Sequence, residues 1–135
     1  MKTRNDIAEE QRGVVLLCED EAIVAMDIQM MIEDGGFEVC GPFARVSVAL
    51  DALEDVVPVA AVLDVRLRDG DVFPVAERLD RAGVPLIFHS GHLIEDEVVA
   101  RFPGAMHCPK PTDARTLMKA LTLAASEAAS EQATG

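Results

Sequence analysis

With 135 residues, half of them hydrophobic, the chain is long enough for one domain with a packed core. Its net charge of −12 disfavours direct contact with nucleic acid or an anionic membrane surface, and the absence of Trp and Tyr removes base-stacking platforms. No apolar run approaches the roughly 20 residues of a membrane helix, and the polar N-terminus lacks a signal-peptide core. We therefore expect a cytoplasmic protein, and the odd number of cysteines (Cys18, Cys40 and Cys108) fits a reduced compartment.

Along the chain, short apolar runs typical of buried strands alternate with segments of helical periodicity. The predicted strands are residues 13–18, 37–40, 59–63, 84–89 and 105–108. The predicted helices are residues 21–34, 47–55, 71–81, 94–101 and 112–127. We expect a polar N-terminal extension over residues 1–12, one domain over 13–127 and a disordered tail over 128–135.

Two helices carry apolar residues at helical spacing. In the first, Ile23, Met26 and Met30 fall at i, i+3 and i+7, and we interpret the methionines at 26, 30 and 31 as core filler. In the last helix, the apolar face is formed by Leu117, Ala120, Leu121 and Ala124. Five alternating strand and helix units predict an α/β fold, a doubly wound parallel sheet with helices on both faces.

Polar residues follow four of the predicted strands where each strand ends. Parallel sheets of this kind bind ligands beyond the carboxyl ends of their strands. Asp64 follows the third strand, where a carboxylate is costly unless it is exposed or paired. Glu19 and Asp20 follow the first strand, and three neighbouring carboxylates predict a divalent cation site, best suited to Mg²⁺. A backbone carbonyl near Arg66 would complete the coordination, whereas helix capping or turn chemistry is the simpler alternative for the acids.

A hydroxyl and an ammonium follow the fourth and fifth strands. Ser90 precedes Gly91, which leaves room for a phosphate oxygen to approach, although such a dipeptide is also ordinary turn chemistry. Lys110 suits pairing with a carboxylate or phosphate, and Pro111 raises the chance of a cis bond that would aim the lysine inward. Taken singly, Lys110 would be interpreted as a surface lysine. A zinc site of His89, His92 and Cys108 is the weaker alternative, because strand ends seldom give tetrahedral spacing.

Together, Glu19-Asp20, Asp64, Ser90 and Lys110-Pro111 resemble, in order and spacing, the motifs of receiver domains of two-component response regulators. The resemblance covers residues 13 to about 127. It implies a flavodoxin-like (βα)5 fold with strand order 2-1-3-4-5. It also implies a response regulator of the stand-alone, single-domain type.

The resemblance also implies a phosphorylation-dependent signalling switch. Asp64 would be the phosphoacceptor, Ser90 and Lys110 would hold the phosphoryl oxygens, and Mg²⁺ would be the cofactor. The expected partners are a sensor histidine kinase or phosphotransfer protein and a downstream protein target, with a homodimer possible in principle and neither nucleic acid nor membrane involved. Because only self-phosphorylation and self-dephosphorylation of Asp64 are implied, we do not expect a conventional enzyme.

Three further positions are assigned by the resemblance alone. His107 occupies the place of the family's switch aromatic residue, three before Lys110. Arg66 and His92, two residues past Asp64 and Ser90, lie where the family tunes the lifetime of the phosphate.

Three alternatives remain. A degenerate receiver would act as a phosphate-independent interaction module. A haloacid-dehalogenase-type enzyme would carry a second Asp where Arg66 stands, and it would need a cap domain. Flavin or nucleotide binding on the same fold would need a Gly-rich phosphate loop, which does not follow the first strand.

Overall fold

The computed structural model describes residues 12–91 and 95–134; residues 1–11, residues 92–94 (which include His92) and Gly135 lie outside the described residues. The strands of the main sheet are β1 Val14–Cys18, β2 Glu38–Phe43, β3 Ala60–Leu63, β4 Leu86–Ser90 and β5 Met106–Pro109. The helices are α1 Ala22–Asp34, α2 Val46–Ala52, α3 Phe73–Arg81, α4 Glu95–Arg101 and α5 Ala114–Thr134.

The five strands form one parallel sheet in the order β2-β1-β3-β4-β5. This confirms the predicted doubly wound α/β fold and its strand order. Cys18 at the end of β1 is in register with Leu63 at the end of β3, and Ser90 at the end of β4 is in register with Pro109. The residues that follow β1, β3, β4 and β5 therefore meet at one edge of the sheet, the edge formed by the carboxyl ends of the strands.

The core is divided into two layers by the sheet. One layer packs β1, β3 and β4 against α2, α3 and α4, and its largest fully buried side chains include Leu16, Leu63 and Phe88. The other layer packs the opposite sheet face against α1 and α5, with Ile32 and Leu117 fully buried. The central strands are buried on both faces, which explains why they are continuous apolar runs instead of alternating ones.

Strand β2 continues past Gly41-Pro42, where the sequence predicted that it would end. The pairing with β1 shifts by one residue across this dipeptide, so that Leu16 pairs with Cys40 but Cys18 pairs with Phe43. Because β2 lies at the edge of the sheet, a proline there removes no hydrogen bond from a central ladder. Gly41 has a φ of +120°, and a Cβ at this position would lie 2.5 Å from the Leu17 carbonyl oxygen.

A two-stranded hairpin, Arg66–Leu67 with Gly70–Asp71, follows β3 and was not predicted from the sequence. At its tip, Asp69 accepts hydrogen bonds from the backbone N–H groups of Val46 (2.6 Å) and Ser47 (3.1 Å). These bonds lower the pKa of Asp69 and cap α2 with a side chain distant in sequence. A turn signal in sequence does not reveal such a capping contact.

Helix α1 packs with a different face from the one predicted. Its buried residues are Ala25, Ile28 and Ile32, whereas Met26 and Met30 are 61% and 58% exposed. The interpretation of these two methionines as core filler is therefore wrong, although Met31 does pack partly against the core. The helix is apolar on several sides, so helical periodicity alone does not select the face that meets the sheet.

Helix α5 continues to Thr134, so the prediction of a disordered tail from residue 128 is wrong. The tail contains three Ala residues with a Glu and a Gln, all of high helix propensity, and no Gly or Pro interrupts it before Gly135. The predicted buried face of this helix is present, with Leu117, Leu121 and Ala124 fully buried.

Near the N-terminus of the chain, Arg12, expected in a polar extension, stacks on the Phe37 ring at 4.8 Å. Among the helices described, none is both long and apolar enough to cross a membrane.

The α1 orientation predicts very different costs for two substitutions on the same helix. Ile32→Ala should reduce the free energy of unfolding by about 2–5 kcal/mol, because it opens a cavity in a fully buried position. Met30→Ala, at an exposed position, should change it by less than about 0.5 kcal/mol. Urea denaturation of both variants beside the wild type measures the difference, and equal costs would contradict this packing.

Candidate functional site

Asp64 lies directly beyond β3, at the edge where the strands end. Its backbone N–H donates to the Cys18 carbonyl at 2.9 Å, which extends the pairing of β1 with β3 by one step. The residue is only 8% exposed. One carboxylate oxygen, Oδ2, accepts a hydrogen bond from Lys110 Nζ at 2.9 Å, so the buried charge has a partner.

Lys110, which follows β5, contacts residues that follow β1 and β3. Its Nζ lies 2.9 Å from Asp64 Oδ2 and 2.9 Å from Glu19 Oε1, and 3.8 Å from Glu21 Oε1. The Lys110–Pro111 peptide bond is cis, as the sequence suggested. The lysine is therefore a site residue directed at two carboxylates and not a solvated surface lysine.

Glu19 is the most deeply buried acid of the site, at 2% exposed. Its other oxygen, Oε2, accepts a hydrogen bond from the Glu21 backbone N–H at 3.1 Å, and His89 Nδ1 lies 3.7 Å from Oε1. Burial acts to raise the pKa of Glu19, but its contacts with His89, Lys110 and the Glu21 amide outweigh burial and lower this pKa to about 2.

The other two charged groups are shifted in the opposite direction. Burial raises the pKa of Asp64, the ammonium of Lys110 opposes the shift, and the charge of Glu19 adds to it. Burial acts to lower the pKa of Lys110, but hydrogen bonds and charge attraction from Glu19 and Asp64 raise it overall. Of the two buried acids, Glu19 is thus the permanently ionised partner of the lysine.

Three consecutive acids, Glu19, Asp20 and Glu21, place carboxylate oxygens within 4.8 Å of one another. Such oxygens are the ligands that Mg²⁺ prefers, so the donor set fits this ion. Glu21 was not among the predicted ligands, although the run of three acids in the sequence was a visible signal. Asp64, also predicted as a ligand, is not part of this cluster of side-chain oxygens. The predicted ligand role of the Arg66 backbone carbonyl remains a prediction.

The remaining predicted residues lie on β4 and β5. Ser90 is the last residue of β4, and its carbonyl accepts a hydrogen bond from the Lys110 backbone N–H at 3.2 Å. His107 is exposed, and its ring stacks on Phe88 with the centroids 6.0 Å apart. His92 lies outside the described residues, so its predicted role is untested. The proposed roles of Ser90 and His107 remain predictions.

Sequence reasoning set His89 aside as part of an improbable zinc site. In the structure it is 2% exposed and lies against Glu19, with its neighbour Ser90 at the strand end. Its position as the penultimate residue of an apolar strand was the available signal. Burying a polar side chain there costs free energy unless a partner satisfies it.

Comparison with known proteins finds relatives both by sequence and by structure. No family model matches the chain. The Transcriptional regulatory protein PdtaR of Mycobacterium tuberculosis is 31% identical over 116 residues, which cover 83% of this chain and 56% of that protein. The chain thus spans about half the length of the curated relatives it matches.

Solved structures show the same fold. The signal receiver domain of a modulated diguanylate cyclase from Desulfovibrio desulfuricans G20 is 25% identical, with a TM-score of 0.79 over 88% of this chain and 98% of that one. The response regulator PhyR from Brucella abortus is 31% identical, with a TM-score of 0.73 over 90% of this chain and 51% of that one. A CheY-like receiver domain protein from Methanospirillum hungatei JF-1 is 23% identical, with a TM-score of 0.77 over 87% of this chain and 97% of that one.

These similarities confirm the resemblance expected from the motifs: the chain has the fold of response-regulator receiver domains, and its structural neighbours are such domains. They support a role in response-regulator signalling.

The position of Lys110 predicts a pH-dependent loss of stability when its charge is removed. Lys110→Met should reduce the free energy of unfolding by about 2 kcal/mol at neutral pH, because two buried carboxylates lose their counter-charge. In the wild type, the lowered pKa of Glu19 gives stability that is complete above its ordinary value of 4.5 and is lost as the pH falls toward about 2. In the variant, Glu19 takes up its proton at higher pH than in the wild type. The difference in the free energy of unfolding between the two proteins should therefore become smaller as the pH falls.

Urea unfolding at neutral pH and at about pH 4 measures this difference. Lys119→Met, which removes an exposed lysine from α5, is the matched control and should have little effect at either pH. A Lys110→Met penalty that does not change with pH would contradict the electrostatic explanation.

Proposed function

We propose that this protein is a phosphorylation-dependent signalling switch that accepts a phosphoryl group on Asp64. The observation that carries the proposal is the single ammonium of Lys110 at 2.9 Å from both Asp64 and the buried Glu19. This arrangement brings a nucleophilic carboxylate, a fixed positive charge and a cluster of acids together at the edge of the sheet. An ion pair with a purely structural role would not require the acids Asp20 and Glu21 beside it.

The chemistry proposed is transfer from a phosphohistidine. A carboxylate oxygen of Asp64 attacks the phosphorus in line, the P–N bond to the donor imidazole breaks, and its electron pair stays on that nitrogen. The product is an acyl phosphate on Asp64. Such transfers depend on positioning and charge stabilisation more than on covalent help from the protein.

The neighbouring residues would supply that stabilisation. Lys110, held by Glu19, would follow the charge from the Asp64 carboxylate to the phosphoryl oxygens. Ser90, at the end of the adjacent strand, would donate its hydroxyl to one of those oxygens. Because the pKa of Glu19 is low, this acid would stay ionised and keep the ammonium in place throughout the cycle.

Glu19, Asp20 and Glu21 would hold Mg²⁺, with Asp64 and the Arg66 carbonyl as further predicted ligands. When bound, the ion supplies positive charge that offsets both the acids and the phosphoryl oxygens. Arg66 and His92 would influence the lifetime of the acyl phosphate, and His107 would report its formation through its packing on Phe88.

An exposed apolar stripe on α1 supports action through protein contact. Ile23, Met26 and Met30 are 78%, 61% and 58% exposed, and they begin just after the acids of the site. Neighbouring apolar side chains left in water mark a protein contact surface. We propose that this α1 stripe meets the donor, a sensor histidine kinase or phosphotransfer protein, in the cytoplasm. The net charge of −12 favours a downstream protein target over nucleic acid.

The direct test is the intact mass of the protein after incubation with Mg²⁺ and acetyl phosphate. The wild type should gain one phosphoryl group, and EDTA should prevent the gain. Asp64→Asn should gain none, because an amide is not nucleophilic enough to attack phosphorus. Asp69→Asn, on the hairpin, is the matched control and should be phosphorylated like the wild type. A folded wild type with no adduct would instead support the degenerate, phosphate-independent module.

The α1 stripe predicts a difference between two kinds of donor. Met26→Glu should slow transfer from a phosphorylated histidine phosphotransfer protein by about fivefold or more, because it places a charge in the contact surface. The rate with acetyl phosphate, which needs no docking, should not change. Val57→Glu is the control, since Val57 is 80% exposed but precedes β3, at the opposite edge of the sheet. Equal slowing with both donors would exclude a docking role for the stripe.

A further inference from the structure

A cavity of about 310 Å³ opens beside the site, between α1, the end of β4 and the junction of β5 with α5. Its apolar wall is formed by Val24, Ile28, Met31 and Pro111. This volume is at the lower end of the range found for pockets that bind small molecules, and a mostly apolar wall with a few polar groups is typical of them.

His89 contributes the buried polar group of this cavity. It is 2% exposed, and neither of its ring nitrogens makes a hydrogen bond within residues 12–91 and 95–134. Glu19 Oε1 lies 3.7 Å from Nδ1, which is an electrostatic contact but too long for a good hydrogen bond. Buried polar atoms are normally satisfied, so an unsatisfied imidazole in a cavity wall indicates a missing partner.

The mouth of the cavity is negatively charged. Glu21 and Asp27, both exposed on α1, line it. The only cation among the lining residues, Lys110, already contacts two carboxylates at 2.9 Å. Asp27 has no ion pair within the described parts of the chain, so it offers a free charge to an incoming cation.

We propose that this cavity binds a small amphipathic amine. An aromatic ring or short chain would lie against Val24, Ile28 and Met31, a hydroxyl or ring N–H would hydrogen-bond His89, and an ammonium would lie near Asp27 at the mouth. The inference is separate from phosphorylation of Asp64, because it requires no phosphodonor and no Mg²⁺.

The test is a ¹H–¹⁵N NMR titration of the full chain with three matched probes. Tyramine carries both a phenol and an ammonium, 4-ethylphenol lacks the ammonium, and phenethylamine lacks the hydroxyl. Tyramine should bind most tightly, with saturable shifts confined to α1, to the end of β4 and to residues 110–112. The titration contains neither Mg²⁺ nor a phosphodonor, so its result does not depend on the outcome of the phosphorylation experiment.

Two variants assign the two polar ends of the probe. Asp27→Asn should weaken the binding affinity for tyramine by about two- to fivefold, as expected for the loss of an exposed ion pair. The affinity for 4-ethylphenol, which has no ammonium, should not change. Asp34→Asn, at the exposed end of the same helix and outside the cavity, is its control. His89→Phe should weaken tyramine and 4-ethylphenol by about two- to tenfold and leave phenethylamine unchanged.

Three outcomes would overturn the proposal: no saturable shifts, shifts spread over the whole surface, or equal affinity for all three probes. If His89→Phe does not fold, the comparison of Asp27→Asn with Asp34→Asn still decides the question, because both positions are exposed.

Discussion

The position of Lys110 between Asp64 and Glu19 is the interaction on which the functional edge of this protein depends. Two carboxylates, 8% and 2% exposed, share one ammonium at 2.9 Å. Without that charge they would repel each other in a poorly solvated place, where an unpaired charge is costly. Glu19 is also held by the Glu21 amide, so the lysine has a fixed partner just after β1 and a second partner just after β3. In the proposed mechanism, this asymmetry would let the same lysine stabilise the resting site and still be available to a phosphoryl group.

The orientation of α1 determines the surroundings of that edge. Packing Ala25, Ile28 and Ile32 on the sheet leaves Ile23, Met26 and Met30 in solvent. In the same orientation, Val24, Met31 and Asp27 line the cavity together with His89. A single helix thus presents two surfaces next to the acids, one proposed to contact a protein and the other proposed to bind a small molecule.

Much of the fold was predictable from the sequence, because its signals are local. Buried parallel strands are apolar runs, and helices show their own periodicity, so the five strands and five helices were predicted from the residues. The strand order was implied by the resemblance to receiver domains, and the structure confirms it. The Asp69 cap was not predicted, since it depends on contacts between residues more than 20 positions apart. The hairpin is local, but its strands of two residues each are too short to show a periodicity. The length of α5 was underestimated because a tail of small and polar residues was interpreted as disorder, despite its high helix propensity.

The sequence by itself determined which chemical groups reach the edge, because a residue that directly follows a parallel strand has few other places to go. Asp64, Glu19, Asp20 and Lys110 were identified in this way. Only the tertiary structure decided how these groups pair, that Glu21 joins the acids, and that His89 is buried without a hydrogen bond. Those facts depend on distances between side chains from different strands and on which face of an apolar helix packs. Neither is encoded in local periodicity.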